Sequence, residues 1–236
     1  MQTEKILAPT LSRPRHFTRE EQETWAEIMD SHRKKRKNQL HPIFLEGLEL
    51  LEMDTNSIPD IQTVNKKLKK LTGWEGVFVK GFEDPRSFYP MLRDKQFPIG
   101  NFIRSKQDLS YTPEPDIVHD FYGHIPFLAN KLYADYCQKL GELSGRVIHD
   151  AAKFREFERL FWFGVEFSLV KTQNGIRIFG AGIASSIGEC EYALSQKPKV
   201  IPFDIDLVRK KEFRIDEMQR EIFLLESPEQ LYASLD

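Results

Sequence analysis

The spacing of apolar and polar residues predicts a chain built mainly from amphipathic helices. The first helix is expected to begin behind Thr18, which can form a capping box with Glu21, and to end in the basic run 33–37. Between these limits, Trp25 and Ile28 lie at helical spacing. Further helices are predicted over residues 42–53, 58–72, 87–93, 129–143, 151–170 and 227–234.

A second pattern, in which short apolar runs are bounded by glycine or proline, predicts few strands. Residues 75–81 read E-G-V-F-V-K-G, and the β-branched residues between glycines favour a strand. Other extended segments are predicted at residues 98–103, 176–179 and 197–205 and around Phe213. Helices dominate and no internal repeat occurs, so the predicted fold class is mostly α (α+β), a single helical domain with a few short strands.

The length of 236 residues is sufficient for one large domain. A chain of this size buries about 70% of the surface that its unfolded form exposes, so it needs no disulfide or metal to complete a core. Residues 1–17 are polar and irregular and are expected to form a flexible N-terminal arm. The folded domain is therefore predicted over residues 18–236.

The balance of acidic and basic residues bears on which macromolecules the protein is expected to bind. The chain has 34 basic and 36 acidic residues, a net charge of −2, so neither nucleic acid nor a membrane surface is an expected partner. No run of about twenty apolar residues and no signal-peptide pattern occurs. The two cysteines, Cys137 and Cys190, form no disulfide framework, so a cytoplasmic location is expected.

The candidate chemistry is concentrated in residues 113–126, P-E-P-D-I-V-H-D-F-Y-G-H-I-P. On a straight α-helix His119 and His124 would lie roughly 140° apart around the axis and about 7.5 Å apart along it, so their imidazoles would not converge. Gly123 and Pro126 are therefore expected to end or bend the helix, which would bring the second histidine back toward the first.

Glu166 is the third candidate, because it is the one ionisable residue in the apolar run 161–170. A buried carboxylate needs a cation, strong hydrogen bonds or a raised pKa. With His119 and His124 it would complete the two-histidine, one-carboxylate set of non-haem Fe(II) oxygenases, although the same ligands also hold zinc. A zinc-dependent hydrolase is thus an alternative, but Asp120 does not supply the H-E-x-x-H pattern. A helical binding module with structural histidines is another.

Five motifs are spread along the chain. They are F-I-R at 102–104, Y-T-P-E-P-D at 111–116, H-x-x-x-G-H at 119–124, W-F-x-V-E-F at 162–167 and G-A-G-x-x-S-S-x-G-E at 180–189. These motifs resemble those of the tetrahydropterin-dependent aromatic amino acid hydroxylases, in particular the short bacterial members that act on phenylalanine. The resemblance covers roughly residues 17–225 and implies the aromatic amino acid hydroxylase fold, with residues 18–236 as the catalytic domain.

The resemblance implies a role for individual residues. Fe(II) would be held by His119, His124 and Glu166, and Arg104 would bind the carboxylate of the amino acid substrate, a task that suits a planar guanidinium. Phe88 would stack on the tetrahydropterin cofactor. The amino acid pocket would be lined by Thr112, Pro113, Trp162 and Ser185, and Glu189 would orient a ligating histidine.

The implied activity is hydroxylation of a free aromatic amino acid by O2 and a reduced pterin, most directly L-phenylalanine to L-tyrosine, by a monomer. Tryptophan or tyrosine as substrate is the alternative within the family. Two positions depart from the family pattern. Asp120 stands where many members have glutamate, and Gly164 stands where animal enzymes have a larger residue, so it would favour tryptophan if it faced the pocket.

Overall fold

Helices predominate in the computed structural model, which describes residues 5–106 and 115–235. The α-helices are α1 (Arg19–Gln39), α2 (Pro42–Leu51), α3 (Ile61–Leu71), α4 (Pro85–Arg93), α5 (Ile125–Leu128), α6 (Lys131–Arg146), α7 (Ala151–Leu160), α8 (Ala181–Ala184), α9 (Ile187–Ala193), α10 (Ile205–Lys210) and α11 (Pro228–Tyr232). Val118–His124 (π1) and Phe161–Glu166 (π2) are π-helices, and Ala233–Leu235 is a 3-10 turn. The predicted fold class is confirmed.

The strands form two separate sheets. They are β1 (Glu75–Val79), β2 (Gln96–Gly100), β3 (Ser168–Thr172), β4 (Gly175–Ile178), β5 (Lys199–Pro202) and β6 (Glu221–Leu225). β1 and β2 pair in parallel, with Glu75 opposite Gln96. The second sheet has the order β4-β3-β6-β5, in which only the β3–β4 pair is antiparallel. In sequence, β2 precedes π1 and β3 follows π2, so each sheet adjoins a π-helix.

The start of α1 shows how local sequence sets an element. The Thr18 hydroxyl accepts the backbone N–H of Glu21 at 3.3 Å, and the Glu21 carboxylate accepts the N–H of Thr18 at 2.7 Å. This is the predicted capping box, which satisfies two N–H groups that have no partner inside the helix. The chain before it, from residue 5, has no helix, and Leu11 pairs with Val79 at the edge of β1.

The prediction of one helix over residues 151–170 was wrong at its C-terminal end. The helix ends at Leu160, π2 continues to Glu166, and Ser168 begins strand β3. β3 lies between β4 and β6, so a strand here provides hydrogen bonds on both sides. Apolar residues such as Leu169 and Val170 suit a buried strand as well as a buried helix, and periodicity alone does not separate the two.

Aromatic side chains join the first helices to π1. The ring of Tyr122 lies edge-on to Trp25 at 6.5 Å and to Phe44 at 5.3 Å, and Phe44 packs on Phe127 at 5.1 Å. All four are fully buried, and such burial is worth roughly 2–3 kcal/mol for each ring. The core therefore fixes π1 through the ring of Tyr122. Among the residues described, no helix is both long enough and apolar enough to cross a membrane.

Candidate metal centre and its pocket

His119 and His124 converge because they lie on a π-helix. In π1 the backbone bonds connect residues five apart, so two residues at that spacing lie on one face. The two Nε2 atoms are 3.4 Å apart. The prediction that Gly123 and Pro126 end the helix was wrong, since helical backbone continues from π1 into α5, which contains Pro126. That they bend the helix stays a prediction.

Glu166, at the end of π2, faces both histidines. Its Oε1 lies 3.0 Å from His124 Nε2, and its Oε2 lies 3.7 Å from His119 Nε2. The three ligand atoms all lie within 4.8 Å of one another. Oε2 is buried and has no hydrogen-bond partner among the described residues, so this oxygen is available to a cation. The observed donor set therefore fits a divalent metal such as Fe(II) or zinc.

The protonation of these groups also suits a metal. Burial lowers the pKa of His119 to about 4, so its imidazole is neutral near pH 7 and can ligate. Burial alone would raise the pKa of Glu166, but the facing imidazole of His124, whose Nε2 lies 3.0 Å from Glu166 Oε1, holds that pKa below its usual value. The centre thus combines a neutral imidazole at His119 with a carboxylate that is ionised at neutral pH.

The G-A-G run at 180–182 has a packing role beside Glu166. A Cβ at Gly180 would lie 2.2 Å from the backbone oxygen of Glu166, and a Cβ at Gly182 would lie 2.8 Å from its Oε2. Any larger residue would displace backbone or carboxylate. The two glycines thus allow α8 to approach the carboxylate closely.

A cavity of about 500 Å³ adjoins the three side chains. Besides these three, the structure brings five other predicted site residues to the cavity wall, and Thr112 and Pro113 lie outside the described residues. The five are Phe88, Arg104, Trp162, Ser185 and Glu189. Phe88 packs edge-on against Phe161, which belongs to π2, with ring centres 5.0 Å apart.

Arg104 is held in a buried ion pair. Its Nε and Nη2 donate to the two carboxylate oxygens of Asp116 at 2.9 and 2.8 Å, and both side chains are almost inaccessible. Asp116 also accepts the backbone N–H of His119 at 3.0 Å. One carboxylate thus fixes the guanidinium and the start of π1 together. A ligand carboxylate would have to use the other edge of the guanidinium, formed by Nη1 and the second N–H of Nη2.

Ser185, and not Glu189, contacts a metal-facing histidine. The Ser185 hydroxyl lies 3.3 Å from His119 Nδ1 and donates to the Gly182 carbonyl at 3.0 Å. Its oxygen can therefore accept the Nδ1–H of His119, which leaves the Nε2 lone pair for a metal. Glu189 makes no hydrogen bond to His119 or His124 within the described chain, its Oε2 has no partner there, and burial raises its pKa to about 7.

Sequence reasoning did not identify the residues that hold Trp162. Its indole lies between Phe167, at 4.6 Å, and Phe213, at 4.5 Å and nearly parallel. The indole N–H donates to Gln219 Oε1 at 3.1 Å. Phe213 and Gln219 belong to residues 211–220, which form neither helix nor strand, and the extended segment predicted around Phe213 did not indicate a contact with Trp162. Phe97 was also missed; it stacks on His124 at 4.4 Å.

The two departures from the family pattern have clear positions. Asp120 lines the cavity, its Oδ2 accepts the backbone N–H of Gly100 at 2.7 Å, and burial raises its pKa well above the usual value. Gly164 does not line the cavity. A Cβ there would lie 2.5 Å from a terminal carbon of Leu231, so Gly164 faces α11. The absence of a side chain at this position therefore does not enlarge the pocket.

Comparison with known proteins gives a consistent result. Residues 12–235 match the family described as biopterin-dependent aromatic amino acid hydroxylase. The phenylalanine-4-hydroxylase of Caulobacter vibrioides is 37% identical over 89% of this chain and 72% of its own length. The enzyme of that name from Chromobacterium violaceum is 36% identical over 92% and 73%.

Solved structures of the Chromobacterium violaceum phenylalanine hydroxylase are also similar. One, with bound iron(III) and the oxidised cofactor 7,8-dihydrobiopterin, gives a TM-score of 0.90 at 35% identity and covers 96% of this chain and 84% of that chain. Another, with iron and phenylalanine bound, gives a TM-score of 0.89 at 34% identity and covers 98% and 85%.

Proposed function

This chain belongs to the family of biopterin-dependent aromatic amino acid hydroxylases, and from this membership we propose that it is an iron- and tetrahydropterin-dependent monooxygenase that converts L-phenylalanine to L-tyrosine. The relatives at 37% and 36% identity are named phenylalanine-4-hydroxylase. Structures of the Chromobacterium violaceum relative hold iron, 7,8-dihydrobiopterin and phenylalanine. The chain covers more than two thirds of these relatives.

One observation in this chain carries the proposal. His119, His124 and Glu166 converge within 4.8 Å at the wall of a cavity lined with aromatic residues. Two imidazoles and a carboxylate on one side of an iron ion leave its other positions open toward that cavity. Iron and reduced pterin, when bound, supply the activation of O2 that ring hydroxylation requires.

The remaining side chains bind and orient the substrates. Arg104 has one guanidinium edge fixed by Asp116, so its other edge is pre-organised for the amino acid carboxylate. Trp162, held between two aromatic rings, provides a flat wall for the substrate ring. Phe88 provides the corresponding apolar face for the pterin. Ser185 keeps the Nε2 of His119 directed at the iron.

No observation favours the alternatives. Gly164 faces Leu231 and so gives no reason to expect a larger, tryptophan-sized pocket. We also propose that the active form is a monomer. The two cysteines are free and buried, which supports the cytoplasm as the site of action.

The decisive experiment is aerobic turnover by the Fe(II)-loaded protein with a tetrahydropterin and equimolar phenylalanine, tyrosine and tryptophan. The phenylalanine carries a ring label, and each product is identified by mass. Labelled tyrosine should dominate, and omission of either pterin or iron should abolish it. Dominant 5-hydroxytryptophan or DOPA would change the substrate, and no product from an iron-loaded sample would contradict the activity. Peptidase activity of the zinc-loaded protein would instead support a hydrolase.

A further inference from the structure

The chain before α1 is bonded to the loop that leads into α4. Residues 7–12 run along residues 78–86, and Leu11 pairs antiparallel with Val79 at the free edge of β1. Three backbone hydrogen bonds join the two segments. They run from Ser12 N to Phe78 O at 2.9 Å, from Lys80 N to Thr10 O at 2.9 Å and from Leu7 N to Arg86 O at 3.2 Å.

Glu83 is at the centre of this contact. Its side chain is buried, with 5% of the residue exposed. One carboxylate oxygen accepts both the backbone N–H of Thr10, at 2.7 Å, and the Thr10 hydroxyl, while the other accepts the hydroxyl of Ser87 in α4. A buried carboxylate needs such donors. Glu83 thus ties the N-terminal segment to the helix that carries Phe88.

The loop between β1 and α4 has little apolar packing of its own. Phe82 is 72% exposed, and a Cβ added at Gly81 would meet no atom within 4 Å. Yet Gly81, Phe82, Glu83 and Phe88 all line the cavity beside the metal centre. The contacts of Thr10 with Glu83 therefore help to fix residues 81–83 of this wall, while Phe88 is also held by its packing on Phe161.

We propose that Thr10 and Glu83 are positioning residues for the reduced pterin. They hold the loop and Phe88 in the arrangement that the cofactor binds, without contact between Thr10 and the cofactor. The proposal rests on the proposed function and extends it to a segment that the family match, which begins at residue 12, does not include.

The test compares Thr10→Val with Thr63→Val. Both exchanges remove a hydroxyl that donates to a carboxylate, but Thr63 bonds Asp60 at the start of α3 and is remote from the cavity wall. For Thr10→Val the KM for tetrahydropterin should rise roughly five- to tenfold, which corresponds to about 1.0–1.4 kcal/mol and lies in the range for loss of one hydrogen bond. The kcat and the KM for phenylalanine should stay within about twofold of the wild type. Thr10→Ser should restore the wild-type KM.

Two further readouts do not depend on turnover. The dissociation constant for 7,8-dihydrobiopterin, measured by calorimetry without amino acid, should rise in Thr10→Val by the same factor as the KM. Amide hydrogen exchange at Gly81 and Phe82 should be faster in Thr10→Val and in Glu83→Gln than in the wild type. Thr10 is exposed, so its exchange for valine leaves the core intact.

The outcomes separate this proposal from the proposed function. An active wild type with Thr10→Val unchanged in pterin KM, dissociation constant and amide exchange would overturn the positioning role alone. Equal increases in the KM of both substrates with a fall in kcat would indicate a merely structural contact and would also overturn it. A wild type that neither binds the pterin nor turns over would refute the proposed function, and this proposal with it.

Discussion

At the scale of single residues, the metal centre depends on three side chains that no other described residue of the chain replaces. In Glu166→Gln the carboxylate charge is lost, and in His124→Ala an imidazole is lost, so each variant should bind iron more than about 100-fold more weakly than the wild type. Metal analysis after Fe(II) reconstitution and gel filtration measures this. The control is His149→Ala, which removes an exposed histidine and should keep full iron. Full occupancy in Glu166→Gln would refute its role as ligand.

The proposed role of Arg104 in binding the substrate carboxylate can be tested by a conservative exchange. Arg104→Lys keeps the charge but replaces the planar guanidinium, so the KM for phenylalanine should rise on the order of 10- to 100-fold. The matched control is Arg93→Lys, because Arg93 makes the same two-bond pair with Asp94 on the surface. Steady-state kinetics at saturating pterin gives the result. An unchanged KM would mean that Arg104 serves only to hold Asp116.

Some of these residues could be predicted from the sequence and some could not. His119, His124 and Glu166 were identifiable because an ionisable group in an apolar run demands an unusual partner. Arg104 required the family resemblance, since an isolated arginine carries no local signal. Phe213 could not be identified as a site residue from the sequence. It contacts Trp162 only because the folded chain brings the two distant segments together.

At the scale of elements, the two π-helices and the short helix α8 determine the shape of the centre. Most helices and four of the strands, β1, β2, β4 and β5, were predictable from periodicity and caps, but periodicity of 3.6 residues contains no signal for a π-helix. Strand β6 and helix α10 were not predicted. Both are short, and their backbone N–H and C=O groups find all their partners only in the completed fold. The close approach of α8 to π2 is likewise a property of the tertiary structure. It is recognised from the short distance between a Cβ added at Gly182 and the Glu166 carboxylate.

The approach of α8 predicts that Gly182→Ala damages the metal centre. The new Cβ would lie 2.8 Å from Glu166 Oε2, so the carboxylate must move and iron affinity should fall roughly 10- to 100-fold. The control is Gly145→Ala in α6, where a Cβ meets nothing within 4 Å. That exchange should keep the iron affinity and stabilise the helix by about 1 kcal/mol. Iron titration and thermal unfolding distinguish the two, and equal iron affinity in both would refute the packing argument.

At the scale of the whole molecule, one core connects α1 to the metal centre, and His32 is a buried polar residue within it. Its ring is 4% exposed and lies 5.0 Å from the ring of Tyr122 in π1. Burial, with the positive charges of Arg104 and Arg36, lowers the pKa of His32 to about 3, from 6.5 for an unperturbed histidine. The fold therefore contains an imidazole that stays neutral well below the pH at which the unfolded chain protonates.

The stability of the whole fold should accordingly depend on His32 in acid. The pKa of His32 is lower in the folded protein than in the unfolded chain. The contribution of His32 to the free energy of unfolding is therefore complete above about pH 6.5 and is lost as the pH falls toward 3. Lowering the pH from 7 to 5 should reduce the free energy of unfolding of the wild type by about 2 kcal/mol through His32 alone. His32→Gln cannot take up that proton, so the difference in free energy of unfolding between wild type and variant should shrink by this amount.

Urea unfolding of the iron-free protein at the two pH values measures the difference. Ile28→Val, one turn earlier on the same buried face of α1, is the control, because it costs roughly 0.5–1.5 kcal/mol without any titrating group. Its difference from the wild type should be equal at pH 7 and pH 5. If His32→Gln behaves in the same way, the buried imidazole does not set the acid sensitivity of the fold, and other groups must be responsible for it.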